Sequence, residues 1–339
     1  MIWIRADANE TMGSGHVMRC LSIAAALRKM GEKVCFLAAD EKTVPLLEAG
    51  GQAYHVLHTD YTRMEEELEI LEGMLASCAP DFFLADSYFV TAEYFRRVRR
   101  RVPVGYVDDR CVKGLPLDLL INYNIFAEES LYGQQDGTRL LLGTAYAPLR
   151  EEFRGTQYQV RQDALRVLVT TGGSDRYQLA GRFLEKALGD DRTAGLEYGI
   201  VSGAFNPYLK ELREWEKKNG NVRIYSNVTN MRELMEKSDI AVSAGGSTMY
   251  ELSAVGVPTL CFSFVDNQEE IVRGFVDQGL VCFGGNYLAQ GEGMLEMLVE
   301  KMALLVSDRR LRQAYSEKQR QMVDGKGAER IAQALLQGK

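Results

Sequence analysis

A histidine preceded by two glycines is the first place in the chain where residue types and spacing could support catalysis. The segment Gly13-Ser14-Gly15-His16 follows the first apolar run and opens a helical pattern. Glycines at positions 13 and 15 permit a tight turn and a close approach of a ligand to the backbone. The positive end of the helix dipole disfavours a protonated histidine at that place. We therefore predict that His16 is a general base. The alternative is a tight turn with a helix-capping histidine.

A second candidate site combines glycines, hydroxyl side chains and a carboxylate between a predicted strand and a predicted helix. Ser247 and Thr248 can cap that helix, and the amides of its first turn favour a bound anion such as a diphosphate. Glu251 lies about one turn further on and could accept hydrogen bonds from a ribose. The amides of Asn267 and Gln268, after the next strand, suit sugar hydroxyls. The alternative is that these residues only form a turn and cap helices. The candidate residues of this region are Gly245, Gly246, Ser247, Thr248, Glu251, Asn267 and Gln268.

The elements that must position these residues alternate between short apolar strands and helical segments. Strands are predicted at 1–5, 33–39, 53–57, 81–85, 102–107, 117–121, 139–142, 164–170, 197–201, 222–225, 239–242, 259–264 and 280–283. This alternation predicts an α/β protein of two Rossmann-like domains with mainly parallel sheets. The polar segment 149–163 is the predicted linker, which gives domains 1–150 and 151–339. Ligands of such sheets bind beyond the carboxyl ends of the strands.

Two helical segments of this pattern are unusually long. A single acidic helix is predicted over 61–77, with Leu68, Leu71 and Leu75 on one face. The tail 291–337 is predicted to be helical throughout, and its last helix is placed to pack back on the first domain.

The charge and composition of the chain argue against some classes of protein. The 339 residues carry a formal net charge of −7, which argues against a nucleic-acid-binding protein but permits an anionic small ligand. Early charges exclude a signal peptide, and no apolar stretch approaches the roughly 20 residues needed to span a bilayer. We therefore expect a cytoplasmic protein.

His55 and His58 are expected to lie at the surface or to pack against other side chains, with no metal bound. Scattered cysteines without a CxxC pair are expected to be buried and reduced: Cys20, Cys35, Cys78, Cys111, Cys261 and Cys282.

Several motifs together resemble one enzyme family. Arg5-x-Asp7 and Gly13-x-Gly15-His16-x-x-Arg19 resemble the N-terminal signature of the UDP-2,4-diacetamido-2,4,6-trideoxy-β-L-altropyranose hydrolases of pseudaminic acid biosynthesis. These enzymes are related to the glycosyltransferase-B group, whose nucleotide-sugar site the segments 243–251, 256–258 and 267–268 resemble. Further matches are Asp86-Ser87-Tyr88, Val107-Asp108-Asp109, Asn122-x-Asn124, Arg150-Glu151-Glu152-Phe153 and Gly172-Gly173-Ser174-Asp175.

The resemblance implies a glycosyltransferase-B-like fold with the substrate in the cleft between the domains. It implies that His16 activates water, which releases UDP from the anomeric carbon with inversion and without a metal or cofactor. It also implies these substrate-binding residues: Gly15, Tyr88, Arg150, Gly245, Gly246, Ser247, Thr248, Glu251, Asn267 and Gln268. A glycosyltransferase with an unknown acceptor and a noncatalytic nucleotide-sugar-binding protein of polysaccharide synthesis are the alternatives. The exact sugar, the oligomeric state and the roles of Asp86, Asp108, Asn122 and Asn124 stay open.

Overall fold

The computed structural model describes residues 1–9, 12–133, 137–173, 175–203 and 206–338, without the side chain at position 267. The chain divides into two units: Met1–Glu151 together with the chain from Gly325, and Glu152–Asp324. The division after Glu151 lies inside the polar segment 149–163. The second unit ends before the last helix, which belongs to the first unit.

The described residues of the first unit form seven strands that are all parallel. In chain order these are β1 (Ile2–Ala6), β2 (Val34–Ala38), β3 (Ala53–Val56), β4 (Phe82–Asp86), β5 (Val104–Val107), β6 (Leu119–Asn122) and β7 (Arg139–Leu142). They form one sheet in the order β3-β2-β1-β4-β5-β6-β7, so the order reverses between β1 and β4. Strands β1, β2 and β4 are buried at every position, as expected for parallel strands that helices cover on both faces.

Four helices connect the first strands of this sheet: α1 (Gly15–Lys29), α2 (Val44–Ala49), α3 (Leu68–Ser77) and α4 (Ala92–Arg99). The prediction of one long helix over 61–77 is wrong, because a short 3-10 helix, Met64–Glu67, precedes α3. Glu67 is fully buried there and its carboxylate binds the guanidinium of Arg5.

The second unit repeats the arrangement with six strands. They are β8 (Arg166–Thr170), β9 (Glu197–Ser202), β10 (Val222–Ser226), β11 (Ile240–Ala244), β12 (Thr259–Ser263) and β13 (Cys282–Asn286). The sheet is parallel, in the order β10-β9-β8-β11-β12-β13, and its order reverses between β8 and β11. The helices are α5 (Leu179–Leu188), α6 (Leu209–Lys218), α7 (Met231–Lys237), α8 (Thr248–Val255), α9 (Glu269–Asp277), α10 (Tyr287–Gln290), α11 (Glu292–Ser307) and α12 (Arg309–Met322). The predicted α/β class with parallel sheets is confirmed.

The C-terminal tail is interrupted, so the prediction of continuous helix over 291–337 is wrong. Asp308 separates α11 from α12 and caps α12, since its carboxylate accepts the amide of Leu311 at 2.9 Å. After residues 323–326 the chain forms α13 (Gly327–Gln337), which packs against α1 in the first unit. Gly327 lies so close to the backbone of Ala147 that a β-carbon would collide with it.

Two further features qualify the sequence-based expectations. No helix in the described part of the chain has both the length and the apolar character required to cross a bilayer. All six cysteines are free. The expectation of buried thiols is wrong for Cys78, which is exposed after the last turn of α3, and for Cys111, which is partly exposed in the turn that follows β5.

Candidate active site and nucleotide loop

A buried histidine–aspartate pair lies where the strand order of the first unit reverses. His16 is the second residue of α1, and Asp86 is the last residue of β4. The Nδ1 atom of His16 is 2.5 Å from Oδ1 of Asp86, and only 4% of His16 and 0% of Asp86 are exposed. Nη2 of Arg19 also lies 3.0 Å from this Nδ1. Because the ionised carboxylate can only accept and is the nearer of the two groups, we assign the hydrogen to Nδ1, which leaves the lone pair on Nε2. The imidazole is therefore held in the tautomer that a general base requires.

Arg19 binds the same carboxylate from one turn further along α1. Its Nε lies 2.6 Å from Oδ2 of Asp86, and its Nη2 lies 2.5 Å from Oδ1. Burial opposes ionisation of Asp86, but the charges of Arg19 and His16 outweigh it and hold the pKa of Asp86 well below its ordinary value. Asp86 is therefore ionised at neutral pH, and a negative charge in that position favours an imidazolium over a neutral ring.

Tyr88 places an aromatic ring against His16. The two ring centroids are 4.5 Å apart in an edge-on arrangement, and 36% of Tyr88 is exposed. The Tyr88 hydroxyl donates to Oδ2 of Asp109 at 3.1 Å, and the guanidinium of Arg110 lies 5.4 Å from the ring centre. Burial, followed by the charge of Asp109, raises the pKa of Tyr88 above its ordinary value, so the phenol stays protonated. The Tyr88 ring therefore packs against His16, while its hydroxyl is bound to Asp109.

The loop that leads to His16 begins at a fully buried ionic cluster. Arg5 contacts Oδ2 of Asp7 at 2.5 Å and both oxygens of Glu67, and Tyr94 donates to Glu67 at 2.7 Å. The second oxygen of Asp7 accepts the amide of Ala39 at 2.8 Å. The Arg5-x-Asp7 motif therefore fixes the end of β1. Gly13 has φ +76°, in the left-handed region that favours glycine. Gly15 has a φ outside that region, and a β-carbon added there would meet no atom within 4 Å.

Other polar residues of the resemblance bind their own loops. Asp108 accepts the amides of Arg110 and Val112 at 2.8 and 2.9 Å. Asn122 accepts the amide of Asn124 at 3.0 Å and donates to the hydroxyl of Tyr132 at 2.8 Å. These contacts assign Asp108 and Asn122 a role in shaping the turns after β5 and β6.

The glycine loop of the second unit follows β11 at the reversal of that sheet. A β-carbon on Gly245 would lie 2.5 Å from Cγ2 of Val272, so close packing against α9 requires glycine there. Gly246 adopts φ +154°, a conformation that L side chains rarely adopt. The expectation that Ser247 caps α8 through its side chain is wrong: Ser247 is the N-cap residue but makes no such bond, because its backbone is helical rather than extended. Ser247 is exposed, and Thr248 begins the helix.

The remaining predicted binding residues are placed as follows. Glu251 is half-buried in the first turns of α8. The side-chain oxygen of Gln268 accepts the amide of Phe264 at 3.0 Å, which uses one of its two lone pairs. The side chain of Asn267 lies outside the described residues. Arg150 is half-buried at the end of the first unit.

The loop after β8 contains a buried carboxylate, Asp175, which caps α5. Its oxygens accept the amides of Leu179 at 2.8 Å and Ala180 at 3.2 Å. Burial raises the pKa of Asp175 to about 6, and the backbone hydrogen bonds limit the increase. Ser174, which belongs to the same motif, lies outside the described residues.

Asp175 is expected to make the protein less stable as the pH rises. A pKa raised above the ordinary 3.8 means that folding favours the protonated acid, so stability is fully present below about pH 4 and falls as the group ionises towards pH 6. The difference in unfolding free energy between the native chain and Asp175→Asn should therefore shrink by roughly 3 kcal/mol between pH 4 and pH 7. Urea unfolding at several pH values measures it, and a difference that does not change with pH would contradict the assignment.

Neither of the other two histidines joins the site. His55 is exposed on β3, and His58 is exposed and pairs with Glu41 at 3.1 Å. Within the described ranges, no group of three or more His, Cys, Asp or Glu side chains is arranged to hold a metal ion.

From the sequence, Asp86 is only a strand-end residue of open role, and Arg19, Asp109 and Tyr123 are not predicted as site residues. The signal that could have found Asp86 is topological. In a doubly wound sheet the strands on either side of the order reversal are neighbours, and their carboxyl ends meet. The residues after the first and fourth strands are therefore expected to face each other.

Residues 167–334 match the Glycosyltransferase family 28 C-terminal domain. The chain is 26% identical over 349 residues to the spore coat polysaccharide biosynthesis protein SpsG of Bacillus subtilis, covering 99% of this chain and 97% of that protein. It is 23% identical over 284 residues to the UDP-2,4-diacetamido-2,4,6-trideoxy-β-L-altropyranose hydrolase of Campylobacter jejuni, covering 82% and 97%. The resemblance that the motifs indicate is thereby confirmed.

Two further matches concern the length of a relative and the fold of this chain. An uncharacterized protein of Methanocaldococcus jannaschii is 27% identical over 298 residues, and the match spans 82% of this chain but only 58% of that longer relative. The crystal structure of MurG from Acinetobacter baumannii superposes with a TM-score of 0.71 at 14% identity, covering 99% of both chains. The chain therefore has the glycosyltransferase-B-like fold that the resemblance implies.

Proposed function

We propose that this chain hydrolyses a UDP-sugar, with UDP-2,4-diacetamido-2,4,6-trideoxy-β-L-altropyranose as the substrate and UDP and the free diacetamido sugar as products. The observation that carries the proposal is the contact between Nδ1 of His16 and the buried carboxylate of Asp86. The similarity to the Campylobacter jejuni hydrolase along most of the chain supports the choice of substrate.

The chemistry assigned to this pair is activation of water. The oxygen of water attacks the anomeric carbon while the bond from that carbon to the diphosphate oxygen breaks, and the bonding electron pair leaves with UDP. Nε2 of His16 takes the proton from the attacking water, because Nδ1 is engaged with Asp86. Attack opposite the leaving group inverts the configuration. Tyr88, which lies against the imidazole, is assigned to contact the sugar.

The nucleotide is assigned to the loop after β11. The first amides of a helix have no partner within the helix and carry its positive dipole end, so the turn Gly245–Thr248 suits a diphosphate. The same amides would stabilise the charge that builds on UDP as it leaves. Glu251 is assigned to the ribose hydroxyls. Gly15, Arg150, Asn267 and Gln268 complete the proposed binding set.

UDP release from the diacetamido-trideoxy-altrose nucleotide tests this function directly. UDP-N-acetylglucosamine is assayed in parallel, and both reactions contain EDTA. Rapid release from the first substrate alone, with no acceptor added, is the expected result. Absence of release from either nucleotide would overturn the hydrolase assignment.

A glycosyltransferase is the second candidate, because residues 167–334 match a glycosyltransferase domain and the fold is shared with MurG. The two activities share the nucleotide site and differ in what attacks the anomeric carbon. A transferase would turn over only with an acceptor, whereas a hydrolase needs none. Tight UDP binding without turnover under either condition would instead indicate a noncatalytic binding protein.

Glu251→Ala is expected to raise KM for the UDP-sugar by about 10-fold to 100-fold, with a smaller effect on kcat, because a hydrogen bond to a charged acceptor contributes about 1.5–3 kcal/mol. Steady-state kinetics and calorimetry with UDP measure the change. Glu214→Ala is the matched control, since Glu214 is exposed on α6 of the same unit and pairs only with Lys217 among the contacts described. Unchanged affinity for UDP would remove Glu251 from the nucleotide site.

A further inference from the structure

The Asp86 carboxylate is enclosed by donors that all come from α1. Oδ1 receives Nδ1 of His16 and Nη2 of Arg19, both at 2.5 Å, and Oδ2 receives Nε of Arg19 at 2.6 Å and the thiol of Cys20 at 3.4 Å. Two parallel N–H contacts from one guanidinium fix the plane of a carboxylate as well as its position. The oxygen that faces His16 is therefore oriented by Arg19.

Arg19 is itself held from the opposite side. Its Nη1 atom lies 3.0 Å from Oδ2 of Asp109 and 3.1 Å from the hydroxyl of Tyr123, and only 10% of its side chain is exposed. Asp109 in turn accepts the hydroxyl of Tyr88. The guanidinium therefore has little rotational freedom, and its charge lies between two carboxylates.

We propose that Arg19 is a positioning residue that orients the His16 imidazole, both through Asp86 and directly, since its Nη2 lies 3.0 Å from Nδ1 of His16, and that its charge offsets the negative charge beside that ring. The proposal rests on the proposed role of His16 as the base. A lone buried carboxylate next to an imidazole strongly favours the protonated ring, which can no longer accept a proton from water. The guanidinium of Arg19 offsets part of the negative charge that Asp86 presents to His16. Loss of that guanidinium should therefore make the imidazole hold a proton more strongly.

The charged and titratable groups around His16 come from several elements of the first unit. They are Arg19 and Cys20 on α1, Asp86 at the end of β4, Tyr88 in the loop that follows, Asp109 and Arg110 after β5, and Tyr123 after β6. Among these, Arg19 is the cation that touches Asp86. Removal of its charge therefore leaves the Asp86 carboxylate beside the His16 imidazole without contact to another of the cations named here.

Two substitutions separate the charge of Arg19 from its shape. Arg19→Gln removes the charge, so the acid limb of the pH profile of kcat should move to higher pH by about 1 to 3 units. Arg19→Lys keeps the charge but not the planar fork. It should therefore leave the acid limb in place and lower the pH-independent kcat by about 10-fold to 100-fold, because the imidazole is misoriented.

An independent readout is the imidazole titration of His16 by nuclear magnetic resonance. The chain has three histidines, and the exposed His55 and His58 serve as internal references. In Arg19→Gln the His16 signals should titrate at higher pH than in the native chain, while the two reference signals do not move. This readout does not depend on turnover, so it tests Arg19 even if the native chain releases no UDP and the hydrolase proposal fails.

Circular dichroism and UDP calorimetry establish that each variant is folded. An unmoved His16 titration in folded Arg19→Gln would overturn the electrostatic part of the proposal. If Arg19→Gln does not fold, Arg19→Lys tests whether Arg19 positions the base. A pH-independent kcat equal to that of the native chain would show that it does not.

Discussion

Replacement of His16 by alanine is expected to lower kcat for UDP release by about 10²–10⁴-fold, the range that a general base contributes. The affinity for UDP should change little, because the nucleotide is assigned to the second unit and His16 lies in the first. Rapid-quench measurement of UDP release at saturating substrate gives kcat, and calorimetry with UDP gives the affinity. The combination of lost turnover with retained binding is what separates a base from a binding residue.

The matched control for this experiment is His55→Ala. His55 is an exposed histidine on β3 of the same unit, so its removal makes the same chemical change without touching the pair. Added imidazole should restore part of the activity of His16→Ala, since the substitution leaves a cavity beside Asp86. Turnover close to that of the native chain in His16→Ala would exclude the histidine as the base.

The strands of both sheets could be predicted because the burial of a strand is visible in a few consecutive residues. Parallel strands covered on both faces are apolar at consecutive positions, so runs such as Ile2–Ala6 and Phe82–Asp86 are visible in the sequence. The placement of chemistry after these runs follows from the rule that ligands meet the carboxyl ends of parallel strands. His16 and the loop Gly245–Thr248 were identified on that basis.

The partner of His16 was not predictable in the same way, because it depends on strand order. Asp86 follows His16 by 70 residues, and their contact exists because β4 pairs with β1 instead of with β3. Arg19 and Asp109 meet for the same reason, through the placement of β5 beside β4. A helical pattern shows which face of α1 is buried, but it does not show which carboxylates that face meets.

The incorrect prediction of a side-chain cap at Ser247 has its cause in the local backbone. Ser247 has the residue type of a side-chain cap, yet the backbone at Gly246 and Ser247 turns into α8 in a conformation that does not direct the hydroxyl to the helix amides. The oxygen of Gln268 also has a local partner, the amide of Phe264 after β12, and this contact leaves the predicted sugar contact of Gln268 untested. The residue type shows which hydrogen bonds a side chain can make, and the local backbone determines with which partner it makes them.

Replacement of Asp86 by asparagine is expected to lower kcat by about 10²–10⁴-fold, as large an effect as loss of the base itself. Arg19 donates to both oxygens of Asp86, and an amide offers only one acceptor atom. If the amide oxygen remains with Arg19 Nε, the amino group faces Nδ1 of His16. Nδ1 must then accept, the hydrogen moves to Nε2, and the ring can no longer take a proton from water. The imidazolium also loses the negative charge that stabilises it.

The control that makes this result specific is Asp108→Asn. Asp108 is also fully buried at the carboxyl edge of the same sheet, but its oxygens bind the amides of Arg110 and Val112, and no contact described for it involves His16. The same isosteric change should therefore leave kcat within about tenfold of the native value, whatever it costs in stability. A loss of kcat in Asp86→Asn no greater than in Asp108→Asn would mean that Asp86 only supports the fold. A much larger loss, with UDP affinity retained, would show that the buried carboxylate acts on the histidine.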